Sequence, residues 1–259
     1  MRRSTGFTLV ELVMVIVMLA IVAAISVQFV TLATRGALDV GTRQQRALQS
    51  VVVSEQVSRE LRSAFPLSIR TAGACIEWLP IEGVTTYVRL SQGPGFDDIT
   101  VVLFATVPPV GNTRALVYGY GSATNDLYNT ANPGPVSTPI SAIDNDVSPS
   151  VITLDGAHRF SQRSPERRLF VVGSPVSLCQ SGRFLFRYSG YGVSPVQSAP
   201  PLTGNREVVA ANLAGSVDFA FSPATLQRGA LVRFAFVLED PRSGETTPVS
   251  QEVQIRNVP

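Results

Sequence analysis

No lysine occurs anywhere in the 259 residues, so all 21 basic side chains are arginines. That excludes Schiff-base catalysis, a Ser-Lys dyad and the lysine-bearing phosphate loop of nucleotide hydrolases. Histidine is nearly as scarce. His158 is the only one, with Asp155 three residues before it and Ser161 three after. Sequence neighbours of this kind do not make a catalytic triad, and no G-x-S-x-G turn accompanies them. His158 reads as ordinary surface or loop chemistry, and no catalytic residue is assigned. The chain reads as a non-enzyme. An excess of charge is also missing: the formal net charge is +2, and it vanishes once Arg2 and Arg3 are removed. Phosphate binding needs a concentrated basic excess, so no nucleic-acid partner is expected. Only two cysteines are present, Cys75 and Cys179, without the tight spacing of a zinc or iron–sulfur site. In a chain that leaves the cytoplasm they would pair as a disulfide.

Weak motifs are set aside on the same grounds. GYGSAT from Gly119 lacks the third glycine of a dinucleotide fingerprint and opens no helical pattern. Asp97 with Asp98, and Asp144 with Asp146, offer hard oxygen ligands for calcium, but without the spacing of an EF-hand loop they read as solvated turn residues. No cofactor and no metal are assigned. Tyr118, Tyr120 and Tyr128 stand beside glycines or in a loop, and packing is the simpler reading than an adhesive surface. What the chain does have is apolar material: 45% of its residues are hydrophobic, enough for a sizeable core.

Much of that material is concentrated at the N-terminus. Residues 7–33, FTLVELVMVIVMLAIVAAISVQFVTLA, carry one charge, Glu11. As a helix this run is about 40 Å long, sufficient to span a bilayer. Met-Arg-Arg precedes it, which favours a cytoplasmic N-terminus with the remaining chain outside. The small residue suited to cleavage, Gly6, lies before the apolar run, so cutting there leaves the helix attached, unlike an ordinary secretory signal. Glu11 is the misfit, because a carboxylate in hydrocarbon costs about 2.5–3.5 kcal/mol or more unless it is paired or protonated. Cleavage after Gly6 would give Phe7 a free amine, four residues before Glu11.

GFTLVELVMVIVMLAIVAA resembles the N-terminal signature of type IV prepilins and of the pseudopilins of type II secretion. The resemblance implies that a prepilin peptidase cuts after Gly6 and methylates Phe7, and that Glu11 neutralises the terminal amine of an adjacent subunit during assembly. It also implies an inner-membrane, single-pass subunit with a periplasmic globular part. Its partners would be membrane lipid before assembly, the inner-membrane assembly platform, and other major and minor pilin subunits in a pilus or pseudopilus.

Beyond the apolar run, residues 34–66 continue helical periodicity. Val53, Val57, Leu61, Ala64 and Phe65 fall on one face, with Glu55, Arg59 and Arg62 opposite. Glu55 and Arg59 have the spacing of an ion pair. Gly36 and Gly41 predict a kink or a meltable segment, and Pro66 predicts the helix end. From Cys75 the pattern turns to short alternating runs at 75–80, 86–90, 99–105, 115–118, 168–172, 183–188, 216–221, 231–238 and 248–255. Residues 111–150, rich in Gly, Pro, Ser, Thr, Asn and Asp, read as a long surface excursion.

The expected fold is therefore α+β, a long N-terminal helix packed on an antiparallel, β-rich globular domain. Its divisions are a leader at 1–6, a transmembrane helix at 7–33, an amphipathic continuation at 34–66 and a globular part at 67–259. RELRSAFP from Arg59, CIEWLPI from Cys75 and the stretch 170–188 resemble the minor pilins of MSHA-type pili. The RELRSA ending also resembles a minor pseudopilin of type II secretion. Both cysteines fall within these blocks, which supports their pairing. A minor pilin is thus the leading expectation, a minor pseudopilin the rival, and a membrane-anchored periplasmic enzyme or ligand-binding domain the more distant one.

Overall fold

The computed structural model describes residues 6, 8–90, 96–118 and 122–256. The chain divides into two compact units, residues 1–49 and 50–259. A single helix, α1 (Leu9–Arg62), begins in the first and ends in the second.

Within the first unit α1 runs through Gly36 and Gly41 without a break, where the sequence predicts a kink or melted turn. Each glycine lowers helix stability by about 1 kcal/mol, a local penalty that leaves the main-chain hydrogen-bond ladder intact. Thr31 and Thr34 donate their hydroxyls to the carbonyls of Val27 and Val30, at 2.7 and 2.8 Å. These two hydroxyls are therefore satisfied within the helix itself.

Among its described residues the second unit contains the end of α1 and fourteen strands: β1 (Arg70–Ala72), β2 (Cys75–Trp78), β3 (Ile81–Arg89), β4 (Asp98–Val101), β5 (Arg114–Leu116), β6 (Val136–Asp144), β7 (Ser150–Leu154), β8 (Arg168–Val172), β9 (Val176–Ser181), β10 (Phe184–Ser189), β11 (Asn205–Ala210), β12 (Asp218–Ser222), β13 (Ala230–Glu239) and β14 (Thr246–Ile255). They form three antiparallel arrays. A five-stranded sheet has the order β1-β2-β9-β10-β11, a three-stranded sheet the order β12-β13-β14, and a closed barrel the order β3-β4-β7-β6-β5-β8. The architecture is α+β.

The amphipathic face read from the sequence is the face that packs. Val53, Val57 and Leu61 are 0–3% exposed and join Trp78, Leu178, Phe234 and Phe236 in one core, whereas Glu55, Arg59 and Arg62 face solvent. The expected Glu55–Arg59 pair does not form among the described residues; instead Glu60 accepts from Arg187 of β10 at 2.8 Å. The helix also stops earlier than Pro66. Ser63 and Ala64 N–H groups donate to the carbonyls of Glu60 and Leu61, tightening the last turn. Phe65 N–H then bonds Leu79 and Ile81 N–H bonds Ser63, so strand pairing has captured the chain before the proline is reached. Phe65 is extended (φ −68°, ψ 119°), as the residue before a proline prefers, and Pro66 opens a short 3₁₀ turn.

Residues 111–150 are not a surface excursion. They include β5 and β6, two neighbouring barrel strands, and a 3₁₀ turn at Thr124–Tyr128. Ala115, Leu116, Val117, Leu127, Tyr128, Val136 and Ile140 are all buried. Barrel closure explains the difference, since every strand is paired on both sides and even a polar, proline-containing strand such as VSTPISAID finds partners for its main chain. β8 illustrates the two-sided burial: Leu169 and Val171 belong to one core cluster, with Ile99, Ile140 and Ile152, while Phe170 and Val172 belong to another, with Phe65 and Leu79.

Cys75 and Cys179 are direct partners across β2 and β9, and they form a disulfide. Their 104-residue separation gives a loop-closure contribution of about 4.7 kcal/mol in the chain-entropy picture. Beside them lies a buried polar network. Arg70, 9% exposed, donates Nε to Oε2 of Glu77, which is 2% exposed and is its register partner across β1 and β2. The guanidinium also donates to the carbonyls of Pro195 and Ser194, both at 2.8 Å, and to Asn125 Oδ1 at 3.3 Å. Its face covers the Tyr128 ring at 3.6 Å. Tyr191 donates its hydroxyl to the other Glu77 oxygen at 2.9 Å, which leaves Ser177 to donate to Tyr191 at 2.6 Å.

Breaking a buried pair by removing one partner strands the other charge, at about 3–5 kcal/mol. Glu77→Ala is accordingly expected to lower unfolding stability by that amount, whereas an Arg70→Met/Glu77→Leu double substitution loses markedly less. Denaturant titration of the full chain in detergent compares them, and equal losses in the two variants would show that the charge is not the reason for the cost.

Candidate processing and assembly site

Thr8 precedes the first helical residue and caps α1. Its hydroxyl oxygen accepts the Glu11 N–H at 3.3 Å, and its carbonyl accepts the Leu12 N–H at 3.2 Å. T-x-x-E is the spacing of a capping box, a signal present at Thr8–Glu11 that hydrophobicity alone conceals. With its amide taken by Thr8, Glu11 lies in the first turn, at the positive end of the helix dipole, where a carboxylate is favoured. The carboxylate is solvent-exposed and makes no hydrogen bond or ion pair among the described residues. It is free to meet a cation from outside its own helix.

Gly6 is exposed and two residues ahead of this cap. A Cβ placed on it would meet nothing within 4 Å. Phe7, the residue expected to carry the new amine and its methyl group, lies outside the described residues, as do the leader residues 1–5. α1 is long and apolar enough to cross a membrane, and none of its most hydrophobic stretch is buried.

The other sequence candidates lie in the second unit. His158 is buried rather than superficial, 1% exposed. Its Nε2–H donates to the Gly134 carbonyl at 3.2 Å and its ring meets Phe160 edge-on at 4.8 Å. Burial outweighs that hydrogen bond and holds its pKa below the ordinary 6.5. Tyr128 is buried under Arg70 and donates to the Ser68 carbonyl at 2.7 Å. Burial, reinforced by Glu77, keeps both the Tyr128 and Tyr191 phenols protonated far above their usual range. Tyr128 is therefore a core residue, Tyr118 packs partly against the barrel core, and Tyr120 lies outside the described residues with the GYG segment. Asp98 pairs with Arg89, and Asp144 accepts the main-chain N–H of Asp146.

Residues 1–27 match the family model described as the prokaryotic N-terminal methylation motif. No curated protein and no solved structure matches the chain. The chain thus carries a type IV pilin-like methylation motif at its N-terminus, and the match ends well before the strand-rich unit.

Because the folded chain disfavours protonated His158, the unfolded state binds more protons below pH 6.5. Stability contributed by the neutral ring is complete above pH 6.5 and is lost as pH falls through the lower folded value. Melting temperatures measured across that interval should fall more steeply for the natural chain than for His158→Gln. Parallel curves would remove His158 as the cause.

Proposed function

We propose that the chain is a minor type IV pilin of MSHA-like kind, processed by prepilin peptidase after Gly6, methylated on Phe7 and incorporated into a pilus fibre or priming its assembly. The observation that carries this reading is the uncommitted Glu11 carboxylate, one helical turn beyond the processing position and inside a segment whose match is a methylation motif. Processing supplies a cationic amine at Phe7. Glu11 of an incoming subunit pairs with that amine on its neighbour, removing the penalty of two isolated charges in hydrocarbon and setting the axial register between helices.

Before assembly the subunit sits in the inner membrane with its N-terminus cytoplasmic and its strand-rich unit periplasmic. Arg2 and Arg3 on the short leader support that orientation. The disulfide fits an oxidising compartment. The assembly platform and the other pilin subunits are its partners.

The rival reading, a minor pseudopilin of type II secretion, uses the same N-terminal chemistry and is favoured by the RELRSA ending of the helix. Gene deletion scored separately for surface pili and for exoprotein secretion separates the two. Loss of piliation alone supports the pilus reading, and loss of secretion with normal pili replaces it. The more distant reading, a membrane-anchored enzyme or ligand-binding domain, predicts loss of neither.

Intact-mass and N-terminal analysis of the membrane-extracted protein should give a chain beginning at Phe7 with one added methyl group. A mature chain beginning elsewhere would falsify the processing claim. Glu11→Ala should still be cut and inserted yet be missing from sheared fibres; its normal incorporation would refute the pairing.

A further inference from the structure

One rim of the barrel carries a cleft of about 230 Å³ lined by Tyr87, Arg89, Leu90, Arg163, Ser164 and Arg167, among others. Three arginines line it in a chain whose charges otherwise nearly balance. Arg89 is paired with Asp98. Arg163 and Arg167 are solvent-exposed, and neither guanidinium has a hydrogen bond or ion pair among the described residues. Glu166, between them in sequence, does not line the cleft.

The backbone around the cleft is specialised. Arg167 has φ +54°, the left-handed region that residues with a Cβ rarely adopt. Four hydrogen bonds hold it there: Arg167 N–H to Ser164 carbonyl at 3.0 Å, Tyr87 N–H to Arg167 carbonyl at 2.8 Å, Arg168 N–H to Ser164 Oγ at 3.1 Å, and Tyr87 hydroxyl to Ser164 carbonyl at 3.1 Å. Opposite this turn, β3 carries a bulge. Tyr87 pairs with Val101 but Arg89 pairs with Thr100, so two steps on β3 answer one on β4. A bulge at a barrel rim re-aims the side chains beside it, here Val88 and Arg89. Strain at one wall and a bulge at the other both act on arginine positions.

We propose that this cleft binds an oxyanion group, a carboxylate, sulfate or phosphate, either as a free ion or as the acidic substituent of a sugar. Guanidinium forks match such groups with paired, charge-assisted hydrogen bonds. The volume suits one substituent rather than a large ligand, and Val88, Leu90 and Pro165 supply an apolar flank beside the charges. The proposal stands apart from the N-terminal site and holds for a pilus or a pseudopilus alike.

The test is calorimetric titration of the full chain in non-ionic detergent with sulfate, phosphate, glucuronate and glucose. Saturable binding of at least one anion is expected, weakening as NaCl rises from about 50 to about 300 mM, with glucose silent. Arg163→Gln/Arg167→Gln should weaken binding at least ~10-fold, since each charge-assisted contact accounts for about a factor of 10. Arg167→Gly removes a guanidinium while relieving the left-handed backbone; it should bind more weakly yet melt no lower than the natural chain. Tighter binding of glucuronate than of sulfate assigns the cleft to an acidic sugar, and the reverse assigns it to a free ion; both support the site. No saturable heat with any anion, equal binding by glucose, or unchanged affinity in the double variant would overturn it.

Discussion

The Arg70–Glu77 pair is the constraint on which the arrangement around β1 and β2 depends. A charge removed from water is tolerable only when each of its hydrogen-bonding positions is occupied, and Arg70 finds its partners in distant parts of the chain. Glu77 comes from the neighbouring strand, Asn125 and the Tyr128 ring from the turn before β6, and the carbonyls of Ser194 and Pro195 from the connection between β10 and β11. Glu77 in turn holds Tyr191 against Ser177 of β9. One buried guanidinium therefore requires three segments besides its own strand to be in place at once. The disulfide next to it ties β2 to β9 in the same register, so the covalent and electrostatic constraints agree.

That dependence explains why parts of the fold were legible in sequence and others were not. The helix face of Val53, Val57 and Leu61 and the strands near 168–172, 231–238 and 248–255 follow local periodicity, which a single burial direction imposes. β6 does not. Pro139 sits within it, and its polar residues face partners that only barrel closure provides, so VSTPISAID looks like loop until the neighbouring strands β5 and β7 are known. β9 and β11 were not read as strands for a related reason: β9 also pairs with β2, far earlier in the chain, and β11 reaches β10 only across the long connection at 190–204.

His158 and Arg70 show the same limit for chemistry. A lone histidine beside an arginine reads as surface, yet the structure buries it against Phe160 and gives its one donor to Gly134. Nothing local announces that Arg70 is 9% exposed while Arg163 and Arg167 stand free, because the difference lies in which carbonyls the fold delivers to each. The N-terminal methylation motif is the opposite case. Gly6, Glu11 and the uninterrupted apolar run are all local features, and the Thr8 cap that complements them was equally local.

Magnitudes decide how the N-terminal helix behaves. From Leu9 to Leu32, seventeen large apolar side chains are at least 47% exposed. Burying each contributes about 1.5–3 kcal/mol, so together they favour lipid or neighbouring helices by tens of kcal/mol over water. Against this, Glu11 opposes insertion by only about 2.5–3.5 kcal/mol at the centre of a helix, and less near its end. The carboxylate therefore cannot keep the helix out of a membrane, nor can it hold the helix at one depth by itself. What it can do is discriminate among apolar surroundings that are otherwise equivalent. Lipid and other helices solvate the leucines and valines about equally well. A surrounding that presents a cation relieves the charge without protonation, so pairing of the kind proposed would make that one residue the source of specificity in a segment whose bulk attraction has none.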